Sequence, residues 1–163
     1  MRAWLSSHLA SRDVARVIYG SIIGLALVVA LQSHPPGPGS MGGLLAGTAV
    51  TVGLAEVFSE IIAAETRTHR PVSHTEMRSM AEEALAVVFG AGFPAVFFFV
   101  AAVAGGDGHV AFKLAKWTGL GLICVYGFLA ARLAGRGFTS ALLHGASVGV
   151  IGLVVIELKS LLH

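Results

Sequence analysis

The chain has 163 residues, 55% hydrophobic and only 12% charged, with a formal net charge of +2 and a mean hydropathy of +0.81. Soluble domains carry about twice that share of charge, so an ordinary soluble fold is excluded and an all-α polytopic membrane protein is expected. The single cysteine, Cys124, sits in an apolar run and excludes an internal disulfide and any cysteine-based metal cluster.

Residues 1–16 are mixed and basic, with Arg2, Arg12 and Arg16, and Trp4 suits a membrane interface. A first helix follows at about 14–31, with Asp13 placed to cap it. A secretory signal is the competing reading of such a start. The apolar core is long for that, and no A-x-A site precedes Ser33-His34-Pro35.

Gln32–Met41 holds Pro35, Pro36, Pro38, Gly37 and Gly39 and is expected to be a loop. The second helix, about 42–65, is the one that constrains function. From Gly42 to Ala64 it runs 23 residues without Lys, Arg, His or Pro, yet it carries Glu56 and Glu60 one turn apart on one face. Glu56 lies about 12 Å inward from Ala64 at 1.5 Å per residue, too deep for snorkelling to explain. A carboxylate in hydrocarbon costs at least about 2.5 kcal/mol, so that face must meet other helices, water or a cation.

Thr66–Ser73 is polar, and Glu65 is expected beside Arg67 or Arg70. Ser73-His74-Thr75-Glu76 reads as a capping box that opens a helix over about 74–104, kinked near Gly90 by Pro94. Gly105-Gly106-Asp107-Gly108 is a turn, too short for a calcium loop. Helix four covers about 110–134, with Lys113 and Lys116 near Trp117, and helix five about 139–161. No internal repeat is clear enough to name. Small residues recur at spacing four in Gly43, Gly47, Thr51 and Ala55, in Gly127, Ala131 and Gly135, and in Ala141, Gly145 and Gly149. Such stripes let backbones approach, within one bundle or in a dimer.

Five membrane helices in one domain are therefore expected. With the N-terminus in the cytoplasm, the inner segments carry Arg2, Arg12, Arg16, Arg67, Arg70, Arg78, Arg132 and Arg136, against Lys113, Lys116 and Lys159 outside. The basic-residue bias selects that orientation, with the C-terminus outside.

Glu56 and Glu60 on the second helix, and Glu76, Met80 and Glu83 on the helix after the loop, form two acidic faces that a short connection brings together. His69, His74 and Met77 are close in sequence. Carboxylate, imidazole and thioether donors together suit a divalent transition metal such as Fe²⁺ or Mn²⁺, while carboxylates alone can relay protons or pass cations. The bland readings are first-turn acids favoured by the helix dipole for Glu76, Glu82 and Glu83, apolar packing for Met77 and Met80, and solvated loop positions for His69 and His74. His144 is a lone polar group in the last helix. No phosphate loop, nucleophile elbow or His-Glu-x-x-His motif is present, and no enzymatic activity is expected.

Arg12-Asp13-Val14, then Val17-Ile18-Tyr19-Gly20-Ser21-Ile22-Ile23-Gly24-Leu25, resembles the first helix of the vacuolar iron transporter family. Thr51-Val52-Gly53-Leu54-Ala55-Glu56-Val57-Phe58-Ser59 resembles its second. The resemblance implies a five-helix dimeric exchanger of Fe²⁺ or Mn²⁺ for protons, with Glu56 on the metal path and Ser59 on the family's serine. The family's first-helix aspartate falls on Ile23, its second-helix methionine falls on Val52, and its cytoplasmic metal-binding domain shrinks to about 66–83. The whole chain also resembles a group of small actinobacterial membrane proteins of unassigned function, through Val17-Ile-Tyr-Gly-Ser-Ile22 and Leu158-Lys-Ser-Leu-Leu-His163.

The expectation is a multi-pass plasma-membrane protein, a homodimer or other homo-oligomer in the lipid bilayer with no nucleic-acid partner. It would transport or bind Fe²⁺ or Mn²⁺ through Glu56, Glu60, Glu83, Glu76 and Met80. The alternatives are a cation or proton channel lined by the same carboxylates, and a non-transporting accessory subunit whose acidic face pairs with a partner.

Overall fold

A computed structural model describes residues 11–161; Arg2 and Trp4 lie outside them, as do the side chains of Arg12 and Lys159. Among the described residues there are six helices and no strand: α1 Ser11–Leu31, α2 Pro38–Thr68, α3 His74–Gly92, α4 Ala95–Ala104, α5 Gly108–Leu133 and α6 Phe138–Leu161. Four of them, α1, α2, α5 and α6, are individually long and apolar enough to cross a membrane. The bent pair α3 and α4 makes a fifth candidate span if it is taken as one.

Local chemistry places the boundaries. Pro38 opens α2 in its first turn after Gly37, so the proline-rich connection is shorter than expected: a proline at the first helical position gives up an N–H that has no partner there anyway. Ser73 caps α3 through the full capping box with Glu76, as anticipated. Asp107 is the N-cap of α5, its Oδ1 accepting the His109 N–H at 2.8 Å, a role beyond that of a turn residue. The break around Pro94 bends the α3–α4 pair by 53°. Pro94 has no N–H to offer the carbonyl of Gly90, and the chain resumes with Val96 and Phe97 bonding to the carbonyls of Phe93 and Pro94.

The arrangement of α1 to α5 contains a repeat that the sequence reading missed. A constant offset of 70 residues carries the N-cap Gly37 onto the N-cap Asp107, and α1–α2 onto α3–α5. Buried, half-buried and exposed positions coincide from Asp13–Val28 to Glu83–Phe98, and from Met41–Ala49 to Ala111–Gly119. The surviving sequence signal is Val17-Ile-Tyr-Gly-Ser21 against Val87-Val-Phe-Gly-Ala91.

Contacts are reciprocal in the same sense. A methyl group built on Gly20 would collide with the carbonyl of Val87, and one on Gly90 with the carbonyl of Val17. The packing of α1 on α5 mirrors that of α3 on α2. Helices α1 and α3 run parallel and cross at these glycines, so the two units are related by a pseudo-two-fold axis along the helices. The larger core straddles that axis. It pairs Val28 with its counterpart Phe98, Met41 with Ala111 and Leu45 with Ala115. Phe98 meets Phe112 edge-on, ring centroids 4.7 Å apart. Helix α6 has no counterpart; it lies on α5 and α1, where Val148 and Ile156 pack around Leu25, Val29 and Ile123.

The crossing sets a test. Gly90→Val forces a side chain into the α1 backbone and should cost about 1–3 kcal/mol or more, read as a lowered melting temperature in detergent. Gly121, with nothing within 4 Å of a built Cβ, should accept Ala without loss.

Candidate functional site

Three carboxylates converge at the end of the bundle where α1 begins and α2 ends. Arg16 of α1, 12% exposed, bonds Glu60 of α2 and Glu83 of α3, and its Nε lies 3.6 Å from Oε1 of Glu56, also on α2. Each of the three acids is 28% exposed. The geometry follows from the fold. Spacing of four puts Glu56 and Glu60 on one face of α2, and the parallel crossing of α1 on α3 sets Arg16 level with Glu83, 67 residues away in sequence.

Planarity suits the guanidinium to this work, because its donors fan out in one rigid fork and can serve several carboxylates at once. Near a protein surface a unit charge pair at about 4 Å gains roughly 4 kcal/mol before desolvation is subtracted. Formally one positive charge faces three negative ones, leaving two uncompensated.

The predicted meeting of acidic faces is thus present for Glu56, Glu60 and Glu83, but an arginine stands at its centre. In the sequence Arg16 counts among the inner basic residues that set orientation; its place near the start of the first helix, where a cation also needs a partner, is the signal that points to this role. Glu76 does not join the cluster. It takes two hydrogen bonds from Arg70, at 2.6 and 3.1 Å, and one from the Ser73 backbone N–H at 2.9 Å. The Arg70 guanidinium first, then Ser73, holds its carboxyl down at about 2. Glu65 also departs from expectation: it accepts the Val72 N–H at 3.1 Å, closing the loop instead of pairing with Arg67 or Arg70. Glu82 pairs with Arg78 one turn away on the exposed side of α3.

Met80, half-buried, lies on the same groove as the cluster. This groove, about 690 Å³, runs between the projecting ends of α2 and α3 and is lined by Glu60, Glu76, Met80 and Glu83 together with Thr66 and Arg67. It is open to solvent, so water reaches two of the three carboxylates that Arg16 holds. Met77 is exposed, as are His69 and His74. Among the described residues, no three His, Cys, Asp or Glu side chains are arranged to hold a metal ion. The carboxylate oxygens turn towards Arg16 instead.

Deeper in the bundle, at the α1–α3 crossing, the hydroxyl of Ser21 is buried without a hydrogen-bond partner. Thr51, Thr66, Thr68, Thr118 and Ser147 each bond the carbonyl four residues back. Ser21 does not, and its counterpart in the second unit is Ala91.

The chain matches no family model, no curated protein and no solved structure.

Two outcomes test the site. Arg16→Ala strands three partly buried carboxylates and should cost on the order of 3 kcal/mol in thermal stability; Arg16→Ala combined with Glu60→Gln and Glu83→Gln should recover most of it. For Glu76 the carboxyl is depressed from 4.5 to about 2, so its stabilisation of the α3 cap is complete above its unfolded value and disappears as pH falls through about 2. Arg70→Gln should bring the Glu76 titration back up towards the ordinary carboxylate range, as read by carbon NMR.

Proposed function

We propose that this is a five-span membrane protein, with α3 and α4 forming one bent span, the N-terminus in the cytoplasm and the C-terminus outside. In this reading the Arg16–Glu56–Glu60–Glu83 cluster receives a divalent cation, Fe²⁺ or Mn²⁺ by its donor types. The observation that carries the proposal is the charge imbalance: two formal negative charges in excess, on carboxylates that an open groove connects to water. A divalent cation neutralises that excess. Oxygen donors from three glutamates suit a hard or borderline divalent ion, and the thioether of Met80 on the groove wall favours Fe²⁺ or Mn²⁺ over Mg²⁺ or Ca²⁺. To coordinate the ion the carboxylates must release Arg16, so binding and withdrawal of the guanidinium are one event. Two protons would neutralise the same excess, which makes exchange of one divalent ion for protons electrically reasonable.

The orientation is supported by the cytoplasmic excess of arginine over the outward lysines. It remains after Arg16 is assigned to the cluster.

A second reading is favoured by one specific feature. A single guanidinium ties α1, α2 and α3 together, which is also what a purely structural clamp in a non-transporting subunit would do.

Proteoliposomes separate the two. Transport predicts uptake of Fe²⁺ or Mn²⁺ above empty vesicles and its loss, by at least roughly tenfold, in Glu56→Gln and in Glu60→Gln, with both variants still folded. Folded protein that neither binds nor moves these ions leaves the clamp as the remaining role. A steady conductance in planar bilayers would replace the exchanger with a channel.

A further inference from the structure

Helices α5 and α6 leave a groove between them, away from the carboxylate cluster. Its volume is about 490 Å³, within the range of small-ligand sites. The half-buried Cys124 and Phe128 of α5 and the buried Gly145 of α6 lie deepest in it, while Val125 and Leu142 stand exposed. The two helices touch backbone to backbone at Gly145, where a built methyl group would meet the Cys124 carbonyl at 2.7 Å. Towards the α5–α6 turn the rings of Phe128 and Phe138 bridge them, centroids 5.6 Å apart. From Phe138 to Gly145 the groove follows two turns of α6, about 10 Å. Its lining is apolar apart from the Cys124 thiol.

Charge collects at one end of this slot. Spacing of four carries the Cys124–Phe128 face of α5 on to Arg132, and Arg136 stands two residues before Phe138. The turn that holds them is fixed: Gly135 takes a left-handed φ of 77°, and the Arg136 N–H donates to the Ala131 carbonyl at 3.0 Å. Arg132 spends one donor, Nη1, on the Arg136 carbonyl at 3.1 Å. Among the described residues neither arginine forms an ion pair, whereas Arg16, Arg70 and Arg78 are each answered by glutamate. Two exposed guanidinium groups are thus left without an anion at the end of an apolar slot. We infer that the α5–α6 groove binds one anionic phospholipid, with an acyl chain along Cys124, Phe128 and Gly145 and its phosphate on Arg132 and Arg136. The guanidinium fork matches phosphate oxygens in pairs. A neutral lipid fills the slot but leaves the charge unanswered, and free phosphate answers the charge but leaves the slot empty. The inference rests on the membrane reading and orientation proposed above, which set this turn at the cytoplasmic leaflet, where anionic lipids concentrate. It is independent of what the carboxylate cluster binds.

Native mass spectrometry tests this on the full chain, released from micelles that hold dioleoyl-phosphatidylglycerol and dioleoyl-phosphatidylcholine in equal parts. One phosphatidylglycerol per chain should stay bound, retained roughly tenfold over phosphatidylcholine. Arg132→Gln combined with Arg136→Gln should abolish that preference. Ala146→Phe, which sets a ring in the groove, should lower retention of both lipids. A melting temperature close to that of the parent chain separates these losses from misfolding. Equal retention of the two lipids, a preference that survives the double change, displacement by inorganic phosphate alone, or no retained lipid would each overturn the inference. Alkaline carbonate washing of native membranes distinguishes its failure from that of the five-span reading. A chain that washes off overturns both, and a chain that stays in the membrane but shows no lipid preference overturns this inference alone.

Discussion

Charge half-buried between helices must be answered there, and here Arg16 of α1 answers the carboxylates of α2 and α3 at once. In the proposed membrane setting a lone carboxylate at the position of Glu56 would be costly. Arg16 gives Glu60 and Glu83 a bonded partner and lies close to Glu56. The same contact fixes the relative height of α1 and α3. An axial slip of one turn, about 5.4 Å, would carry the guanidinium past Glu83 and leave that carboxylate without its partner. The packing of the glycine crossing and the charge register of the cluster therefore specify one alignment together.

That crossing in turn explains the glycines at the α1–α3 contact. Gly20, Gly24 and Gly90 allow backbone-to-backbone contact, with carbonyls where side chains would otherwise stand. In lipid there is little hydrophobic gain from bringing helices together, so close van der Waals contact carries the association. The reciprocity of the contacts makes the two units structural repeats of one another. The first carries Arg16, Glu56 and Glu60 where the second has Ala86, Tyr126 and Ala130, and the second is followed by α6.

Much of the helix layout was legible in the sequence because its signals are local. Ser73 and Glu76 announce a cap, Pro94 a bend, Gly105 to Gly108 a turn, and each acts within a few residues. The acidic pair on α2 was legible for the same reason, since spacing of four is a local property. Arg16 was not, because its partners lie 44 and 67 residues away and only the parallel crossing brings them together. The repeat escaped because residues facing lipid are interchangeable among Leu, Ile, Val and Phe, which erases identity while preserving the pattern of burial. Glu76 was misassigned because a capping residue and a ligand look alike until Arg70 is seen beside it.

Helix α2 is 31 residues long, about 46 Å at 1.5 Å per residue, against a hydrocarbon thickness near 30 Å. Set in a bilayer as proposed, it would be longer than the oily layer is thick. The acids bound to Arg16 would then shift relative to the hydrocarbon edge with acyl-chain length, and their contact with water would shift with them.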